Sequence, residues 1–272
     1  MNDREAQPAL DGLSKVPAVT LGFWIAKIFA TTLGETAGDA VTMSWLGETT
    51  PGASSAVSGY LIGTGIFGTI MLALVLIQIR AKKFHPFLYW STIVASTTAG
   101  TTLADFATRS LGIGYSGGSI LLLALVLASL GTWKAVEGKI SSDQIVAART
   151  EAFYWITITF SQTLGTALGD WAADPATLGL GYLGGAVLFG GLIALVAILY
   201  FTTSINRVAL FWAAFILTRP LGATVGDFLD KPLAKGGLNL SRPLASAVLG
   251  IAIVAIVWMT SRQRAQDEPL PA

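Results

Sequence analysis

The chain alternates long apolar runs with segments of similar length that are richer in Gly, Thr and Ser. A helix that crosses a bilayer needs about 20 mostly apolar residues. Four uncharged runs meet this requirement: Thr49–Ile79, Ser110–Trp133, Pro175–Asn206 and Pro243–Ser261. The Gly/Thr-rich candidates that alternate with them are Val16–Gly38, Pro86–Ala104, Ala152–Gly169 and Val208–Gly226. The pattern predicts an all-α, polytopic membrane protein with eight transmembrane helices, and the short loops make successive helices antiparallel.

The Gly/Thr-rich helices all carry the motif W-x9-G-x4-D, so we call them the motif helices and the other four the outer helices. The motif tryptophans are Trp24, Trp90, Trp155 and Trp212. The motif glycines are Gly34, Gly100, Gly165 and Gly222. The motif aspartates are Asp39, Asp105, Asp170 and Asp227. Because two spans return the chain to the same side, the sequence predicts four parallel, pseudo-symmetric helical hairpins around an axis along the membrane normal. A closed ring is the simplest arrangement, and a dimer of two-unit halves is the alternative.

The predicted repeats span residues 16–81, 82–140, 141–203 and 204–262, between cytoplasmic tails at 1–15 and 263–272. Eleven Lys and Arg residues flank one side of the predicted spans and four flank the other. Because basic residues favour the cytoplasmic side of a membrane, we expect both termini in the cytoplasm.

Each motif helix has two distinct faces. Positions six, ten and fourteen after the tryptophan are all small, which forms a ridge suited to close packing between helices. Positions seven, eleven and fifteen are mostly polar, and this stripe lies about 100° from the ridge. Besides the aspartates, the stripe contains Glu35, Arg219, Thr31, Thr97, Thr101, Gln162 and Thr166. We therefore expect the motif helices to form a tight inner bundle around a polar axis, with the outer helices facing lipid.

Charged residues inside a membrane are costly and point to function by default. Glu35 and Arg219 lie deepest and are predicted to pair, either as a structural salt bridge or as a gate. Lys27 is expected to extend to the cytoplasmic interface. The four aspartates either cap helix ends or form an acidic outer ring that concentrates cations.

The motif tryptophans are predicted to form an interfacial aromatic belt, with the lining of a path for an organic substrate as the alternative. The chain contains no cysteine and one histidine. Thiolate sites and sites built from several imidazoles are therefore excluded. Carboxylate, hydroxyl and amide oxygens favour hard cations such as H⁺, Na⁺, Mg²⁺ and Mn²⁺, while the identity of any metal stays open.

Composition supports the membrane assignment. The chain is 53% hydrophobic and 12% charged, whereas soluble domains are about 25% charged. The net charge of +1 argues against nucleic acid as a partner. The expected partners are the lipid bilayer and a small cation, without a cofactor. No enzyme is expected, because the G-x-G-D motif of intramembrane aspartyl proteases is not met at the Gly-Asp pairs.

The fourfold two-helix unit with its W-x9-G-x4-D motif, together with the segment Gly226–Pro232, resembles a family of bacterial uncharacterised membrane-anchored proteins. Members of that family carry four tandem two-helix repeats of unknown function. The resemblance covers about Val16–Ser261 and implies a bacterial inner membrane protein without an established activity. From the residues alone, we expect a transporter or channel for a small hard cation. The alternatives are a non-transporting scaffold or accessory subunit and an exporter of a small organic substrate.

Overall fold

The computed structural model describes residues 14–48, 58–142 and 144–267. Within these ranges the chain forms eight α-helices and no β-strand, which confirms the all-α class. The helices are α1 (Leu21–Asp39), α2 (Gly59–Arg80), α3 (Pro86–Asp105), α4 (Gly114–Glu137), α5 (Ala148–Ala173), α6 (Gly181–Thr202), α7 (Arg207–Asp230) and α8 (Arg242–Asp267). The motif helices are α1, α3, α5 and α7. A π-helical turn follows α1 at Ala40–Trp45 and α3 at Phe106–Ser110.

Local sequence accounts for several helix ends. The side chain of Thr20 accepts a hydrogen bond from the backbone N–H of Phe23 at 3.3 Å, which caps α1. Asn206 caps α7 in the same way. Pro86 begins α3, where its missing N–H costs nothing. Gly138 follows α4 with a φ of 74°, the left-handed conformation that commonly ends helices.

The motif helices form a closed ring. Helices α1 and α5 each pack against both α3 and α7. Each outer helix packs mainly on the motif helix of the following repeat, so that α2 lies on α3, α4 on α5 and α6 on α7. Helix α8 packs on α1 and completes the pattern. The tightest antiparallel pairs therefore join consecutive repeats, and the last repeat is joined to the first.

The small ridge of each motif helix receives the polar stripe of the next. A Cβ atom built on Gly38 would lie 3.0 Å from the side chain of Thr101, and one built on Gly100 would lie 3.0 Å from Cβ of Gln162. Gly165 approaches Arg219 in the same way, and Gly226 approaches Glu35. Glycine at position ten or fourteen thus faces position seven or eleven of the neighbouring helix. This constant register makes the four motif helices parallel.

Of the helices in the described ranges, five are long and apolar enough to cross a membrane: α2, α4, α6, α7 and the Arg242–Arg262 part of α8. Few residues of the four outer helices among them are buried, whereas most of α7 is buried. The outer helices thus present apolar surface on the outside of the bundle. Helices of this length and hydropathy indicate a membrane-embedded protein.

The termini differ from the predicted tails. Residues 1–13 and 268–272 lie outside the described residues, so most of the N-terminal tail does too. Ser14 and Lys15 are buried, and the Lys15 ammonium forms an ion pair with Glu151 at the start of α5. Helix α8 continues to Asp267, past the predicted boundary at residue 262.

Candidate functional site

The polar stripes of the motif helices meet along the axis of the ring. We call the side chains at positions three, seven, eleven and fifteen after each motif tryptophan the axial column, and each set of four a layer. Every residue of the column is buried, with at most 6% of its surface exposed. The column runs from the tryptophan end of the bundle to the aspartate end.

Eight aromatic rings close the tryptophan end, and we call them the aromatic collar. The collar consists of the four motif tryptophans with Phe23, Tyr89, Tyr154 and Phe211. Each residue that precedes a tryptophan packs against the tryptophan of the next repeat. The four ring-centroid distances are 5.6 Å for Phe23–Trp90, 5.8 Å for Tyr89–Trp155, 6.0 Å for Tyr154–Trp212 and 5.7 Å for Phe211–Trp24. The hydroxyls of Tyr89 and Tyr154 are hydrogen-bonded at 2.7 Å.

This arrangement corrects the expectation of an interfacial belt. Trp90, Trp155 and Trp212 are buried between motif helices, and Trp24 is half-buried. At 100° per residue, positions seven and eleven lie about 20° on either side of the tryptophan. The tryptophan therefore shares the inward face of the polar stripe and turns into the bundle with it.

The first layer contains one charge among apolar neighbours. Lys27 is joined there by Ile93, Ile158 and Phe215, and all four are fully buried. The ammonium of Lys27 lies 4.1 Å from the centroid of the Phe215 ring and 3.4 Å from Oε1 of Gln162 in the next layer. Lys27 therefore does not extend to the interface as expected, because its position on the inward face directs it into the column.

The predicted pair of Glu35 and Arg219 forms at the centre of the column. Nη2 of Arg219 lies 3.0 Å from Oε2 of Glu35. The same nitrogen lies 2.6 Å from the hydroxyl oxygens of Thr101 and Thr166. These three partners occupy position eleven of the first, second and third repeats, and Ala223 occupies that position in the fourth. Arg219 thus reaches from its own layer into the next and crosses the axis.

The remaining predicted column residues join the helices of the ring. The hydroxyl of Thr31 donates to the carbonyl of Thr218 on α7 at 3.1 Å. The carbonyl oxygen of Thr97 lies 3.4 Å from Nη2 of Arg219. The hydroxyl of Thr101 also donates to the carbonyl of Gly34 on α1 at 3.2 Å. Such bonds give buried polar groups partners without water.

The four aspartates meet at one end of the column, but two basic residues divide them. Arg109 lies between Asp105 at 3.0 Å and Asp170 at 3.2 Å. Lys231 forms ion pairs with Asp39 and, at 2.7 Å, with Asp227. The expected open acidic ring is thus replaced by two carboxylate pairs, each of which shares one cation.

Three buried carboxylates converge close to Lys231. One carboxylate oxygen each from Glu35, Asp39 and Asp227 lies within 4.8 Å of the others, and all three residues are buried. The Lys231 ammonium is itself bonded to two of these carboxylates. Oxygen atoms at this spacing suit a hard cation, and a side-chain ammonium holds part of that position in this structure.

The electrostatics at this end favour permanently charged basic residues. Burial alone would lower the pKa of Lys231, but the carboxylates of Asp227 and Asp39 outweigh this effect and raise the pKa well above its usual range. Burial likewise opposes the charge on Arg109, and Asp105 and Asp170 raise its pKa.

The sequence analysis missed Arg109 and Lys231 as members of the site. Each follows a motif aspartate by four residues, Asp105 and Asp227 respectively. Opposite charges at this spacing face each other on a helix. The spacing was therefore an available signal.

Comparison with known proteins places these observations in a family. The sequence model described as Repeat of Unknown Function (DUF347) matches four consecutive segments, residues 22–84, 88–139, 153–206 and 210–266. Each segment holds most of one motif helix and all or nearly all of the outer helix that follows it. No curated protein and no solved structure matches the chain.

Proposed function

This chain belongs to the repeat family of unknown function described above, and from that premise we propose that its four repeats form a transporter for a small hard cation. The observation that carries the proposal is the axial column. It places the ionisable groups of all four repeats on one line through a bundle with an apolar exterior.

The energetic argument is the cost of the buried charges. A charged side chain at the centre of a bilayer costs about 2.5–3.5 kcal/mol on insertion scales. Lys27, Glu35 and Arg219 all lie fully inside the bundle, although hydrophobic packing of the same helices requires none of them. Groups that are expensive to keep and that converge on one axis favour a transport pathway.

Among the hard cations, the proton fits this geometry best. All residues of the column are buried, and a proton can move between hydrogen-bonded groups without the open space that a hydrated ion needs. Carboxylates and hydroxyls can pass a proton along hydrogen bonds. Arginine keeps its proton in proteins, so Glu35 is the exchanging group at the centre. A proton taken up by Glu35 would neutralise the carboxylate that holds Arg219 and would free the guanidinium to leave the axis.

The proposal includes a topology. All eight helices would cross the membrane. Helix α7 is long and apolar enough to span it, and α1, α3 and α5 lie in register with α7 in the ring. The excess of basic residues would place the tryptophan end and both termini in the cytoplasm of a bacterium. The protein would be a non-enzymatic protein of the inner membrane.

A second candidate is a non-transporting scaffold or accessory subunit. The observation in its favour is that the column is buried and that every described carboxylate in it has a basic residue or hydroxyl nearby. The organic-substrate exporter loses its main support, because the motif tryptophans pack against neighbouring rings.

The test is a flux assay with purified protein in liposomes. Vesicles are loaded with a pH-sensitive dye, a potassium diffusion potential is imposed, and proton entry is recorded. Parallel vesicles report Na⁺, Mg²⁺ and Mn²⁺ entry with ion-sensitive dyes. The variant is Glu35→Gln, and the matched control is Glu151→Gln, which removes a buried, ion-paired carboxylate at the start of α5 that belongs to no layer of the axial column.

We expect proton entry in wild-type vesicles, entry at the protein-free rate with Glu35→Gln, and unchanged entry with Glu151→Gln. Flux of Na⁺ or a divalent ion that depends on Glu35 would support the transport pathway but would assign it that ion as the substrate. If wild-type vesicles admit none of these ions faster than protein-free vesicles do, the transport proposal is wrong and the scaffold is favoured.

A further inference from the structure

An apolar groove opens on the side of the bundle between the outer helices α2 and α8. Its volume is about 370 Å³, and its floor is formed by α1 and α3. Ile70 of α2, Phe87 of α3 and Val254 of α8 line the groove and are 45%, 49% and 57% exposed, respectively. The groove is therefore open to the surroundings of the outer helices, which in a membrane are lipid chains.

A second cavity of about 300 Å³ lies next to the groove, on the side of the tryptophan end. Trp90 lines both cavities. On α8 the lining residues extend from Gly250 in the groove to Ser261 in the second cavity, which is about 16 Å at 1.5 Å per residue. This length is close to half of the roughly 30 Å hydrocarbon core. The groove and the second cavity together thus extend over about the depth of one leaflet.

The chemistry changes along the cavity in the way it changes along a phospholipid. The groove is lined almost entirely by apolar side chains. The second cavity adds the hydroxyls of Thr20, Thr260 and Ser261. Exposed basic residues adjoin its lining in the sequence: Lys83 precedes the lining residue Phe84, and Arg262, whose guanidinium lies 3.9 Å from the centroid of the Trp258 ring, follows Ser261.

We propose that this groove is a binding site for one anionic phospholipid. An acyl chain lies between α2 and α8, and the phosphate lies at the tryptophan end near Lys82, Lys83 and Arg262. The lipid would fill the gap between the outer helices of the last and first repeats. The proposal does not depend on whether the axial column transports a cation.

The test measures lipid retention during purification. The protein is equilibrated with vesicles of equal parts phosphatidylglycerol and phosphatidylcholine with identical acyl chains, then extracted and analysed by native mass spectrometry. Gly250→Phe fills the groove, since a Cβ on Gly250 meets nothing within 4 Å. Gly191→Phe is the matched control on α6, where the space is equally open. A second comparison uses Lys82→Gln and Lys83→Gln as the test variants. Lys134→Gln and Lys139→Gln are the controls, because Lys134 and Lys139 are exposed lysines at the same end of the bundle.

The wild type should retain one phosphatidylglycerol molecule in preference to phosphatidylcholine. Gly250→Phe should release it, and Gly191→Phe should not. Each lysine lost from the 82–83 pair should weaken the preference about fivefold, with no change at 134 and 139. Equal retention of both lipids, or equal effects of the two glycine variants, would overturn the proposal. A protein that copurifies and is released by Gly250→Phe would assign the groove to a protein partner instead and would also overturn it.

Discussion

Replacing Glu35 by threonine gives the first repeat the residue found at the same position of the second and third repeats. The variant leaves Arg219 with the hydroxyls of Thr101 and Thr166 but without a counter-charge. Removing one partner of a buried ion pair costs about 3–5 kcal/mol. Both side chains are at most 3% exposed, so the full range applies. We expect Glu35→Thr to lower the free energy of unfolding by this amount.

The reverse change, Arg219→Gln, gives the fourth repeat the residue found in the third. It should cost less than Glu35→Thr, because an isolated carboxyl can be neutralised by a proton, whereas arginine keeps its charge. The double variant should recover most of the loss, since replacing both partners of a buried pair is often neutral. The cycle should therefore give a coupling energy of about 3 kcal/mol or more, since the double variant costs little and Glu35→Thr alone costs at least that much.

Unfolding in mixed micelles with increasing SDS, followed by circular dichroism, measures these differences. The exposed pair Arg149–Glu137, with 67% of the Arg149 side chain exposed, is the matched control and should show a coupling of about 0.2–1 kcal/mol. Single costs that add to the double cost within about 0.5 kcal/mol would refute an energetic interaction between Glu35 and Arg219.

Two further predictions concern the packing of the ring and its aspartate end. Gly165→Ala should lower the free energy of unfolding by about 1–3 kcal/mol, because the new Cβ would lie against Arg219 and 3.0 Å from the backbone nitrogen of Pro220. Gly191→Ala is the control, and its free energy of unfolding should not fall in the same assay. Because nearby carboxylates raise the pKa of Lys231, the stabilisation from its ion pairs should be complete below about pH 10.4 and should be lost as the pH rises through the higher pKa of the folded state. A stability curve measured from pH 7 to 12 should therefore fall at the alkaline end in the wild type and fall less in Lys231→Met, and identical curves would contradict this account.

The sequence predicted the ring because the motif constrains it at several levels. Small residues at positions six, ten and fourteen repeat at helical spacing and predicted the face that packs, as at Gly38 against Thr101. The shared direction of the repeats predicted parallel motif helices. The packing of each outer helix on the motif helix of the following repeat was not predictable, because an apolar surface such as that of α2 has no pattern that selects one neighbouring helix.

The inward position of the tryptophans and of Lys27 was missed for a different reason. Aromatic and basic residues near a helix end occur both at lipid interfaces and between helices, so residue type alone does not separate the two locations. The angle around the helix does separate them, since positions zero and three share the face of positions seven and eleven. The pairing of Arg109 with Asp170 could not be predicted, because it joins residues from different repeats whose loop geometry the sequence leaves open.

The two basic side chains at the aspartate end each form an ion pair between the two halves of the chain. Arg109 of the second repeat pairs with Asp170 of the third, and Lys231 of the fourth repeat pairs with Asp39 of the first. Each half of the protein thus supplies one positive charge that neutralises an aspartate of the other half. A fragment of two repeats would keep an aspartate whose counter-charge belongs to the missing half, so neither half alone neutralises its own carboxylates at this end of the bundle.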